Sequence, residues 1–118
     1  MLKLFNMGNS TISKVNFEDI QTSRNTAILI NTLPNTMQDC LISGTTPIAG
    51  EEKLINDLIN SNTNQVIIIY GKNSNDETIY TKYKQLKKLG FINAKLYIGG
   101  LFEWLLLQDI YGEDEFKT

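Results

Sequence analysis

The chain predicts an α/β layered domain with a mainly parallel sheet, on three observations. Thr26-Ala-Ile-Leu-Ile30 and Val66-Ile-Ile-Ile-Tyr70 are unbroken apolar runs with polar ends, the pattern of strands covered on both faces. Segments with apolar residues at helical spacing alternate with these runs, around Leu54, Ile55, Leu58 and Ile59 and around Ile79, Tyr83 and Leu86. Between Tyr70 and Glu77 a strand, a short tight loop and a helix meet. In α/β proteins such a junction usually carries the ligand and the chemistry.

The elements follow in order. Residues 1–13 are expected as a loose arm, and Lys14-Val15 as a short strand. Asn16 suits the N-cap of a brief helix over Phe17 to Gln21, with Glu18 and Asp19 in the turn that the helix dipole favours for acids. The strand at Thr26–Ile30 leads into a loop, Asn31–Thr36. Cys40-Leu-Ile42 is read as a short edge strand ending at Ser43-Gly44. Glu51–Ile59 is an amphipathic helix ended by Ser61–Asn64. After the central strand and its loop, Ser74-Asn-Asp-Glu77 has the capping-box pattern. The helix it opens runs from Glu77 to Leu89, with Tyr80 beside the inner stripe, lysines 84, 87 and 88 toward its C-terminus and Gly90 as the C′ residue. Ala94–Ile98 is a last strand, Gly99-Gly100 breaks it, and Leu101–Leu107 is a short helix carrying Trp104. Residues 108–118 are a tail that either packs back or serves as a contact segment; its Glu113-Asp-Glu115 run suits a solvated end.

At 118 residues the chain is expected as a single domain, 1–118, large enough to bury a core without staples. Its net charge of −2 argues against a nucleic-acid binder. A single cysteine, Cys40, allows no intrachain disulfide and suits a reducing, cytoplasmic setting. With no histidine, the commonest general base and metal ligand is missing, so no metal or other cofactor is expected. No apolar run is long enough to span a bilayer, and the N-terminus is too short and polar for a signal peptide. Met7-Gly8-Asn9-Ser10 resembles a myristoylation signal, but Ile12 stands where Ser or Thr is needed.

Three segments carry a family resemblance. Ile28-Leu-Ile-Asn-Thr-Leu33 matches an apolar strand that in the family ends in Asp-x-Arg, and Leu41-Ile-Ser-Gly-Thr45 matches His-Ile-Pro-Gly-Ala. The most specific is the third: Ile67–Tyr70, a loop, a helix ending in Leu89-Gly-Phe91, then Leu96-Tyr-Ile-Gly-Gly100 and Trp104. Over nearly its whole length the chain resembles a rhodanese domain. The resemblance implies a three-layer α/β/α fold with about five mostly parallel strands. The family's sulfurtransferases place a cysteine directly after the central strand, in a Cys-x-x-Gly-x-Arg loop. That cysteine takes sulfur as a persulfide, while loop amides, the helix N-terminus and the arginine hold the anionic substrate.

Here the matching position is Gly71, with Ser74 near the glycine position, Asp76 near the arginine position, and Asn31 and Leu33 replacing the strand-end Asp and Arg. Gly71 offers no nucleophile, so the persulfide route is closed. Asp76 places negative charge where an anion should bind; at about 4 Å that repulsion is roughly 1 kcal/mol in water and several times more at a surface-like dielectric.

Two readings of the loop Gly71, Lys72, Asn73, Ser74, Asn75, Asp76 compete. In one, its amides and Lys72 form an anion cradle. In the other, favoured one, Asp76 or Asn75 caps the helix and takes the same amides. Asn31, Gly99, Gly100 and Trp104 are supporting positions, Gly99 to Trp104 closing the core or forming an aromatic partner patch. Cys40 is expected as a packed thiol, with a displaced sulfur-carrying role as the alternative. The expectation is a rhodanese-like domain without sulfurtransferase activity, a binding or regulatory module with an unidentified protein partner. Non-catalytic relatives of that kind exist in the family. The alternatives are a sulfurtransferase or phosphatase-like enzyme using Cys40 or Ser74, and a small-anion binder.

Overall fold

In the computed structural model, which describes residues 12–118, the apolar runs become neighbouring parallel strands. They are β1 (Lys14–Val15), β2 (Ile28–Asn31), β3 (Ile67–Tyr70) and β4 (Ala94–Tyr97), in the spatial order β1-β4-β3-β2. Asn31 pairs with Tyr70, and Tyr70 with Tyr97, so the strands end level at one carboxyl edge. Residues 1–11 of the expected arm, with the Met7–Ser10 motif, lie outside the described residues; its last two residues are not loose, since Ile12 packs against the core and Ser13 O accepts from the Leu96 amide at 2.9 Å.

Four helices flank the sheet: α1 (Phe17–Thr22), α2 (Ile48–Ser61), α3 (Thr78–Lys88) and α4 (Gly100–Tyr111). The two-residue side-chain period of β3 sorts the core. Ile68 and Tyr70 join Ile20 of α1, Leu101 and Trp104 of α4, and Phe116. Ile67 and Ile69 join Ile55 of α2 and Ile79, Tyr83 and Leu86 of α3. The result is the expected three-layer α/β/α arrangement. Each of the three isoleucines is at most 1% exposed, and full burial of such a side chain stabilises by about 1.5–3 kcal/mol.

Local signals explain the helix ends. Asn16 Oδ1 accepts from the Asp19 amide at 3.0 Å while Asp19 Oδ2 accepts from the Asn16 amide at 2.9 Å, a reciprocal cap for α1. After α3, Gly90 has φ +103°. The Phe91 amide returns to Leu86 O and the Gly90 amide to Lys87 O, which is the Schellman arrangement. Phe91 and Leu86 then share one core cluster.

Several expectations are corrected. Cys40–Ile42 forms no strand: the Ile42 amide donates to the Tyr70 hydroxyl and the Ser43 amide to Lys117 O, which takes this backbone out of the ladder. Pairing beyond β2 shrinks to a single parallel bridge, Leu29 with Thr45, so the sheet has four strands rather than about five. The Ser74–Glu77 box does not form; Glu77 is already in the helical region without a side-chain cap, and Asp76 takes the Thr78 amide instead. Helix α2 begins earlier than expected, after Pro47 at φ −63°. Helix α4 runs on to Tyr111, ending at Gly112 with φ +100°.

The tail packs back. Phe116 is 3% exposed, its ring 5.0 Å from Trp104 and 5.6 Å from Phe17. Lys117 O accepts from Trp104 Nε1 at 3.0 Å, and Phe116 O accepts from Gln108 Nε2 at 2.8 Å.

At the carboxyl edge, the exits of the neighbouring strands β3 and β4 are joined by backbone. The Leu101 amide donates to Gly71 O at 2.9 Å and the Phe102 amide to Lys72 O at 2.8 Å, so the loop after β3 caps α4. Gly100, at φ +67°, makes this approach possible: a Cβ there would sit 2.6 Å from Gly71 O and 3.0 Å from Asn73 N.

Three variants test this packing by denaturant titration. Gly100→Ala loses about 3 kcal/mol or more, or fails to fold, since it combines left-handed strain with a clash against backbone. Gly44→Ala, also at positive φ but with nothing within 4 Å of the new Cβ, loses only the strain, about 1–2 kcal/mol. Phe116→Ala loses about 3–5 kcal/mol, as a core aromatic does; a loss under about 0.5 kcal/mol, typical of surface sites, would show the tail is not part of the core.

Candidate functional site

Tyr70 closes the central strand with its ring wholly buried. Its hydroxyl lies 2.7 Å from Thr45 Oγ1 and accepts from the Ile42 amide at 3.1 Å. Burial pushes its pKa up more strongly than these two hydrogen bonds push it down, so the phenol stays neutral. Gly71 follows, buried, and the chain turns away through Lys72 to Asn75. Asn73 holds the turn: its side-chain oxygen accepts from the Asn75 amide at 2.9 Å and its carbonyl from the Asp76 amide at 3.1 Å.

The Asp76 carboxylate occupies the middle of this loop. Oδ2 accepts from the Lys72 amide at 2.8 Å, and Oδ1 from the Thr78 amide at 3.0 Å and the Thr78 hydroxyl at 2.6 Å. That hydroxyl also stands 2.7 Å from Thr32 Oγ1 on the neighbouring strand's exit. Partial burial alone would raise the carboxyl pKa; the Thr78 hydroxyl, the two amides and the Lys72 charge outweigh it, and the net direction is down. Asp76 is therefore ionised across the physiological range.

The carboxylate also fills the space a side chain at position 71 would use. A Cβ on Gly71 would lie 2.8 Å from Asp76 Cγ and 3.0 Å from Ile79 Cγ2. Two amides nearest an incoming anion, those of Lys72 and Thr78, are engaged by Asp76, and the first free amides of α4 are engaged by the carbonyls of residues 71 and 72. Lys72 and Lys84 are exposed cations beside this loop, Lys84 lining a shallow hollow with Ser74, Asn75, Asp76 and Glu77.

The structure brings some supporting residues to the loop and directs others elsewhere. Gly100 touches it directly. Gly99 instead faces Glu103, whose carboxylate accepts from the Tyr97 hydroxyl at 2.6 Å. Burial and that carboxylate push the Tyr97 pKa up, well beyond the ordinary tyrosine range. Asn31 is 3% exposed and turned to its own strand exit, accepting from the Leu33 amide at 2.9 Å and from Gln38 Nε2 at 2.8 Å. Trp104 is fully buried against Tyr97 and Phe116, with the Arg24 guanidinium 5.8 Å from its ring centre.

Neither substitute nucleophile is hydrogen-bonded to a base among the described residues. Ser74 is exposed, and its hydroxyl makes no hydrogen bond among the described residues. Cys40 is exposed rather than packed, because it lies in the surface turn that follows the short 3-10 segment Asn35–Met37. No cluster of three or more His, Cys, Asp or Glu able to hold a metal exists among the described residues. Thr78 and Thr32 were not singled out from sequence; a threonine two places after a capping aspartate was the available signal for Thr78, whereas Thr32 meets it only through the parallel register.

An open groove of about 850 Å³ lies to one side, between α2 and α3. The Lys82–Glu51 ion pair at 2.6 Å bridges it, and Asn31, Thr32 and Thr78 form its end nearest the loop. No helix of the described residues is long and apolar enough to cross a membrane.

A family model for the rhodanese-like domain matches residues 18–107. Among solved structures, the chain is similar to the rhodanese-like domain of the Alr3790 protein from Anabaena sp., at 25% identity and TM-score 0.52, covering 69% of this chain and 92% of that one. It is similar in fold to the single-domain sulfurtransferase RDL2 of Saccharomyces cerevisiae, at 11% identity and TM-score 0.63, covering 89% and 98%. The same holds for SSP1007 of Staphylococcus saprophyticus, at 16% identity and TM-score 0.56, covering 91% and 100%. No curated protein matches the chain. The family match spans every element from α1 to most of α4, including the loop, the Leu89-Gly-Phe91 helix end and the Gly99-Gly100 approach: the chain belongs to the rhodanese-like domain family.

Proposed function

We propose that this rhodanese-like domain does not transfer sulfur and acts as a protein-binding or regulatory module. The observation that carries the reading is the Asp76 carboxylate. It stands against Gly71, where a side chain would project, and takes the Lys72 and Thr78 amides that would otherwise face an anionic donor. A sulfur acceptor at this place needs a thiolate and a positive surround. The loop supplies a glycine and an ionised carboxylate, with Lys72 as the compensating charge. The same geometry speaks against the small-anion reading, since an incoming anion must first displace a bonded carboxylate.

The decisive assay is thiosulfate-to-cyanide sulfur transfer, which yields sulfite and thiocyanate. The wild-type chain gives no turnover above the protein-free rate. Turnover that disappears in Cys40→Ser would overturn the reading and assign the sulfur to the exposed thiol. Gly71→Cys alone stays without efficient transfer, because the new side chain and the donor both meet Asp76. Strong activity in that single variant would show that the carboxylate yields readily. A reduced melting temperature in Gly71→Cys accompanies the steric conflict with Asp76 and Ile79.

A further inference from the structure

We draw no further inference here: the strongest candidate, the exposed apolar stripe of Phe102, Leu106 and Ile110 on the outer face of α4, carries none, because nothing in the structure shows what covers it.

Discussion

The Asp76 carboxylate is the interaction on which the site depends. It joins the Lys72 amide to the Thr78 amide and hydroxyl, and so fixes both the path of the loop and the start of α3. A carboxylate accepting several backbone and hydroxyl hydrogen bonds is stabilised in its charged form, which matches the downward direction of its pKa. The loop thus engages from within the amides of Lys72, Asn75, Asp76 and Thr78, four donors that an anion at this junction could otherwise use. With Gly71 beside it, this strand-to-helix junction holds a glycine and an ionised carboxylate.

The loop is held from the other side by backbone. The carbonyls of residues 71 and 72 receive the first free amides of α4, and Gly100 keeps that approach free of a side chain. Trp104, one turn further on, seats the C-terminal tail through Lys117 O and Phe116. A chain of contacts therefore runs from Asp76 through Gly71 and Gly100 to Trp104 and the tail. It rigidifies the inner side of α4 and leaves the outer side, with Phe102, Leu106 and Ile110, facing solvent. The inner side is scaffold and the outer side is surface.

Much of this was legible in the sequence where one physical rule dominates. Ile67–Tyr70 is apolar without a break because it is covered on both faces, and Leu89-Gly-Phe91 spells the left-handed cap and its hydrophobic clasp. The parts that local sequence misreads or leaves open depend on partners far away in the chain. Nothing local in Cys40–Ile42 says that the Tyr70 hydroxyl and Lys117 O will take its amides. Phe116 sits in an acidic, solvated-looking stretch, and only the tertiary position of Trp104 draws it inside. At the site, the capping aspartate was readable from its place before a helix. Its contact with the space above Gly71 was not, because that depends on how the turn at Asn73 folds back.

The most direct measurement is a carboxyl-carbon NMR titration of Asp76 with the amide protons of Lys72 and Thr78 followed in the same samples. A folded-state pKa below the unfolded one means the stability from this carboxylate is complete above about pH 4 and is lost as pH falls through the folded midpoint. The account predicts a single midpoint below the ordinary aspartate value of about 3.9, shared by the carboxyl carbon and both amides. A midpoint at or above that value, or amides that do not follow the carboxyl, would mean that the carboxylate does not occupy the cradle and that the loop is open to an anion after all.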